Sequence, residues 1–191
     1  MSADFPSRKQ IRLTNYDYAQ NGAYFVTICT QNRECLFGEI VDGKMICNVW
    51  NEIPIFYSGI ELGAFVAMPN HIHGIVEIVG AAPCGRPSTA GGRPDISQSL
   101  KIIGRPNRAT TGGCPYKKLA LCDVVHRLKS LTTKKYADAV KNNIWPPFKN
   151  RIWQRNYYEH IIRNDDEYAR ICEYIAMNPE NWLNDDENLT R

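Results

Sequence analysis

Apolar and polar positions along the chain fall into patterns of two periods. The stretch Ala23-Tyr24-Phe25-Val26-Thr27-Ile28-Cys29-Thr30 is dense in β-branched and aromatic residues and follows the turn pair Asn21-Gly22, which predicts a central strand. Residues 35–40 and 44–47 flank Val41-Asp42-Gly43, and an Asp-Gly pair between such runs predicts a small β-ribbon. Residues 49–61 hold Trp50, Ile53, Ile55, Phe56 and Tyr57 around Pro54. Proline disfavours a long helix, so this stretch reads as one turn or an irregular link. Residues 62–78 read as an apolar strand broken near Met68-Pro69, because proline cannot donate to a central ladder.

Further on the period becomes helical. Leu121, Val124, Val125, Leu128 and Leu131 recur at helical spacing within residues 117–140 and bury one stripe. Residues 143–148, with Pro146-Pro147, form an extended linker, and residues 152–163 read as a strand. Asn164 then caps a helix whose first turn carries Asp165, Asp166 and Glu167, where carboxylates favour the helix dipole. It runs through Tyr168, Ile171, Cys172, Tyr174 and Ile175 and stops near Asn178-Pro179, roughly four turns later.

One segment breaks the pattern. At about residues 80–115, Gly-Arg-Pro recurs at Gly85-Arg86-Pro87, Gly92-Arg93-Pro94 and Gly104-Arg105-Pro106, and too little apolar area is available to offset ordering entropy. This reads as a low-complexity insertion, either a surface loop or a segment whose Arg86, Arg93, Arg105 and Arg108 meet phosphates. The 191 residues otherwise suit a single domain with a real core. Hydrophobic residues at 43% and charged residues at 23% are ordinary globular usage, and a net charge of +3 does not by itself imply nucleic acid. The seven cysteines are odd in number, scattered and without a Cys-x-x-Cys pair, which argues against a zinc ribbon or disulfide framework. Residues 1–6 lack the basic and apolar regions of a signal peptide and no apolar run approaches membrane length, so the expected setting is a reducing cytoplasm.

The candidate chemistry begins with His71-Ile72-His73. Residues two apart on a strand share a face, so the two imidazoles stand side by side and can chelate a divalent ion. Taken alone, the pair is equally two surface histidines. Tyr174 and Asn178 are four apart on one helical face, so a phenol and an amide oxygen travel together. If that face meets the histidines, Asn178 offers an oxygen ligand and Tyr174 a hydroxyl. Oxygen plus imidazole donors suit Mg or Mn when phosphate oxygens complete the shell. Arg127, Lys129, Lys134 and Lys135 lie opposite the apolar stripe of the long helix, either as a solvated face or as a grip on a nucleic-acid backbone.

Three ordered motifs carry a resemblance: Met68-Pro69-Asn70-His71-Ile72-His73-Gly74, Trp153-Gln154-x-x-Tyr157-Tyr158-Glu159-His160-x-Ile162-Arg163, and Tyr174-Ile175-x-x-Asn178-Pro179. Together they resemble the single-tyrosine HUH transposases, nearest to the REP-associated tyrosine transposases, over about residues 8–182 apart from the insertion. The resemblance implies an α+β, ferredoxin-like (RRM-like) antiparallel sheet with helices on one face. It implies that His71, His73 and Asn178 hold a divalent cation, Mg or Mn, and that Tyr174 is the nucleophile. The implied activity is nicking and strand transfer on single-stranded, hairpin-forming DNA through a 5′-phosphotyrosine, at the nucleoid of a bacterial cytoplasm, by a monomer or a homodimer. Within the second motif, Tyr157 and Tyr158 can stack bases, while His160 and Arg163 can meet a phosphate or pack on the sheet. Tyr157 and Tyr158 are also rival nucleophiles, but neither has an amide one helical turn beyond it.

Two departures from that family stand out. The helix expected between the first strand and the histidine strand looks shortened, which would expose apolar sheet to a partner chain or mark a decayed gene. The Gly-Arg-Pro insertion is the second. A different class therefore stays open beside the enzyme, a non-catalytic nucleic-acid-binding module derived from a transposase. A third, a metal-dependent hydrolase of small phosphoesters, requires no tyrosine.

Overall fold

Alternation along the first strand sends Tyr24, Val26 and Ile28 to one face and Ala23, Phe25 and Thr27 to the other. Both sets are largely apolar, so both faces need cover. The computed structural model describes residues 12–13, 15–37, 43–57, 59–79, 119–185 and 188. The elements are β1 (Gly22–Cys29), α1 (Gly43–Phe56), β2 (Ile60–Ala67), β3 (His71–Ile78), α2 (Leu121–Lys141), β4 (Tyr158–Ile162) and α3 (Asp165–Met177). The strands form one antiparallel sheet in the order β2-β3-β1-β4. This β-α-β-β-α-β succession with an added C-terminal helix is the expected ferredoxin-like α+β arrangement.

Helices α1 and α2 cover the face of Tyr24, Val26, Ile28, Ile72 and Val76, through Ile46, Val49, Trp50 and Ile53 on the first and Leu121, Val124, Val125 and Leu128 on the second. The expectation that helices share one face holds for these two only. Helix α3 lies across the opposite face, where Ile175 packs with Phe25, Ile75 and Ile162. A sheet apolar on both faces cannot leave one of them to water.

The region before the histidines corrects two expectations. Residues 44–47 are not a strand and residues 49–56 are not an irregular link, because both belong to the 14-residue α1. The stripe Ile46, Val49, Trp50, Ile53 follows helical spacing and is buried throughout. Pro54 sits in the last turn, where it removes one backbone donor and leaves the earlier turns intact. The helix thought shortened is thus present and covers the sheet. The break at Met68-Pro69 is a hairpin turn: β2 and β3 pair directly, with a register shift between Leu62 and Phe65. The Gly-Arg-Pro insertion, with its arginines, lies outside the described residues, as does the Asp42 half of the proposed ribbon turn.

The close fit of α1 on β3 depends on the glycine that follows the histidine pair. A Cβ on Gly74 would stand 2.5 Å from Trp50 Cη2 and 2.8 Å from Cζ2. Trp50 is buried and stacked on Phe65 at 4.5 Å between centroids, so it has little room to retreat. Gly74→Ala is expected to lower stability by roughly 1–3 kcal/mol through overpacking. Urea unfolding with an unchanged m-value and a lower midpoint checks this.

Candidate active site

The site grows from the face of the sheet that α3 only partly covers. Residues 71 and 73 alternate with buried Ile72, so both imidazoles emerge on the α3 face and are themselves buried. Their Nε2 atoms lie 3.0 Å apart. Each ring is oriented from behind. Asn70 donates its Nδ2 to the Arg33 carbonyl at 3.2 Å, which leaves Oδ1 facing His71 Nδ1 at 2.8 Å. His71 Nδ1 therefore carries the proton and Nε2 the lone pair. His73 Nδ1 bonds Thr27 Oγ1 at 2.8 Å across the β1–β3 ladder, and its ring stacks on Phe25. Burial, with a smaller contribution from His71, pushes His73 down to about 3, so at neutral pH it is an uncharged imidazole.

Helix α3 brings the second half. Asn164 Oδ1 accepts from Glu167 N at 2.8 Å, as the capping pattern requires. Glu167 in turn holds His160 Nε2 at 2.7 Å and the Arg163 backbone N–H at 2.8 Å, and these two contacts hold its carboxyl below the usual range. Tyr168 OH donates to Glu77 Oε1 at 2.7 Å, a bond that pushes its phenol up to about 12. Fixed this way, α3 places Tyr174 OH 3.4 Å from His73 Nε2, with the ring half exposed and edge-on to Phe25. One turn later Asn178 is buried, and its Oδ1 has no hydrogen-bond partner among the described residues. A buried amide oxygen without a donor is costly unless something electropositive meets it.

A residue absent from the sequence reading completes the group. A 3₁₀ turn, Trp182–Asn184, folds back over the histidines and sets Asp185 Oδ2 3.8 Å from His71 Nε2. Ligand atoms of His71, His73 and Asp185 all lie within 4.8 Å of one another. Two imidazole nitrogens and a carboxylate are a donor set that fits a divalent cation, and Asn178 lines the same cavity as His73 and Asp185. No spacing marks Asp185 in the sequence, since its approach depends on the turn after Pro179. A cavity of about 630 Å³ opens beside this group, lined by Phe25, Tyr158, Tyr174, Asn178, Asn181 and Asn184 among others.

The remaining candidates are distributed differently. The His160 ring and the Arg163 backbone N–H meet Glu167 and so position α3, while the Arg163 side chain is exposed. Helix α2 lies on the opposite face of the sheet from the histidines, and its Arg127, Lys129 and Lys135 are engaged there. Arg127 stacks over Phe56 at 4.4 Å and Lys135 pairs with Glu52 at 2.9 Å. Lys129 Nζ donates to the carbonyls of Gln154, Arg155 and Asn156, which uses its three protons, and burial pushes it down to about 8. Lys134 is exposed. Tyr157 accompanies Arg12 and Lys129 on that side, whereas Tyr158 is exposed on the site face. The idea of a basic helix beside the ion site therefore does not hold geometrically, because the apolar stripe of α2 commits it to the other core.

Fold and site together define an antiparallel α+β protein with a histidine pair and a helix-borne tyrosine on one sheet face. No family model matches the chain. It is 34% identical over 195 residues to an uncharacterised protein of Haemophilus influenzae, covering 96% of this chain and 94% of that one. The chain belongs to the family of that protein. Among solved structures, a REP-associated tyrosine transposase bound to a REP hairpin shares the fold, with TM-score 0.51 and 19% identity over 90% of this chain and 74% of that one. A proposed transposase of Deinococcus radiodurans aligns at TM-score 0.45 and 18% identity, over 86% of this chain and 95% of that one. No helix among the described residues is long and apolar enough to cross a membrane.

Proposed function

We propose that this chain nicks and rejoins single-stranded DNA, with Tyr174 as nucleophile and a divalent cation, Mg or Mn, held by His71, His73 and Asn178, joined by Asp185. The observation that carries this reading is the convergence of a half-exposed phenol and a buried nitrogen–oxygen donor set on one sheet face. The cation, when bound, supplies Lewis acidity toward a phosphoryl oxygen. A free phenol titrates near ~10, so its ionised form has to be favoured by positive charge nearby.

Tyr174 Oη attacks the scissile phosphorus in line as its proton leaves through the exposed side of the ring. A tyrosyl O–P bond forms, the P–O3′ bond breaks, and the departing oxygen takes a proton to become a 3′-hydroxyl. The 5′ end stays on Tyr174 until another 3′-hydroxyl attacks and restores a phosphodiester. Bond energy is conserved throughout, so no nucleotide cofactor is needed. Asn70 and Thr27 keep both imidazoles oriented, and the Glu167 and Glu77 contacts fix α3 so that Tyr174 meets them. The resemblance to single-tyrosine transposases and the shared fold favour hairpin-flanked DNA as substrate.

Incubation with hairpin-bearing single-stranded oligonucleotides and Mn, followed by a denaturing gel, tests this. A protein–DNA band that disappears with EDTA is expected. A shift on a native gel with no band on the denaturing gel would favour the non-catalytic binder, and cleavage without an adduct would favour a hydrolase.

A further inference from the structure

We propose that the cavity beside Tyr174 is a pocket for one unpaired nucleobase next to the scissile phosphate, stacked on Tyr158 and read at its edge by Asn181 and Asn184. This rests on the nicking reading above. The cavity of about 630 Å³ is lined by Tyr174 and Tyr158 together, so a nucleotide presented to the nucleophile lies within reach of both. Beyond the wall of His73, Asn178 and Asp185 that belongs to the ion site, its chemistry is that of a base. Among the described residues no lysine or arginine lines it, and the one carboxylate that does, Asp185, belongs to the ion site. Phosphate pockets need cations or convergent backbone donors, whereas aromatic faces with amides are what an unpaired base requires.

Tyr158 is 54% exposed on the α3 side of edge strand β4. Its ring is held edge-on by Phe25 at 6.4 Å and 69°, and Phe25 in turn meets Tyr174 at 6.0 Å and 83°. A large exposed ring braced from behind is a stacking platform. Asn181, which lines the cavity, commits its Nδ2 to the Met177 carbonyl at 3.2 Å and keeps Oδ1 as an acceptor. Asn184, exposed at the rim, offers a donor and an acceptor together. An acceptor beside a donor–acceptor pair matches the N6 amine and N7 of adenine, the pairing asparagine makes with that base.

The test selects binders from hairpin oligonucleotides with a randomised unpaired flank, using full-length Tyr174→Phe protein so that binding is read without cleavage. Adenine enrichment at one flank position is expected. Adding Asn184→Ala or Asn181→Ala should flatten that enrichment, with overall affinity changed less than about threefold. Adding Tyr158→Ala should weaken binding about tenfold, and Tyr158→Phe should restore it, since stacking needs the ring and not the hydroxyl. The proposal is overturned if no base is enriched, if the enrichment survives both asparagine changes, or if Tyr158→Ala binds as the parent does. The adduct assay with the native protein is scored separately: an adduct without base preference refutes only the pocket, and base preference without an adduct refutes only the nucleophile.

Discussion

Tyr174→Phe is expected to eliminate the covalent protein–DNA adduct and to lower metal-dependent strand cleavage by roughly a thousandfold or more, the scale of losing a nucleophile. Folding and DNA binding should persist. The ring of Tyr174 is half exposed and touches Phe25 and His73 through its edges, contacts that phenylalanine keeps. What phenylalanine removes is the oxygen 3.4 Å from His73 Nε2. The comparison is made with 5′- and 3′-labelled strands under single-turnover conditions, with a melting curve as the fold control. Retained cleavage would transfer the reaction to water and make the protein a hydrolase.

The second large effect concerns the ion. His73→Ala is expected to weaken Mn binding by about a hundredfold or more, the loss associated with deleting a ligand from a small site. The same calorimetric titration on Asp185→Asn should show a smaller loss, because an amide still offers an oxygen while giving up the charge. His73 is buried, stacked on Phe25 and held uncharged, so its nitrogen is available to a cation at neutral pH without first shedding a proton. Since alanine also removes that stacking, His71→Ala serves as a second variant, and its Mn affinity should fall comparably. Binding of Mn by both variants at native strength would refute the ion site.

Much of this arrangement is readable from residue order. Period-2 alternation puts His71 and His73 on one face, and the Tyr174–Asn178 spacing puts phenol and amide on another, with Asn164 and three acidic residues marking where that helix begins. The near-continuous apolar run of β1 also announces burial on both faces, which is why α3 had to lie opposite α1 and α2. Helix α1 was obscured by competing local cues. Asp42-Gly43 favours a turn and Pro54 opposes a helix, yet burial of Ile46, Val49, Trp50 and Ile53 outweighs both. Asp185 was invisible for a different reason, since a carboxylate beyond Pro179 reaches the histidines only through the turn at Trp182–Asn184. The basic residues of α2 show the limit of charge patterning: composition gives their sign, but partners such as Phe56, Glu52 and three loop carbonyls appear only in three dimensions.

Peptide mapping of the adduct by mass spectrometry tests the central claim most directly. After reaction with hairpin-flanked single-stranded DNA and Mn, nuclease trimming and proteolysis, a nucleotide attached through a 5′-phosphate is predicted on the peptide containing Tyr174. A nucleotide on Tyr157 or Tyr158, or no modified peptide from metal-loaded protein, would contradict it.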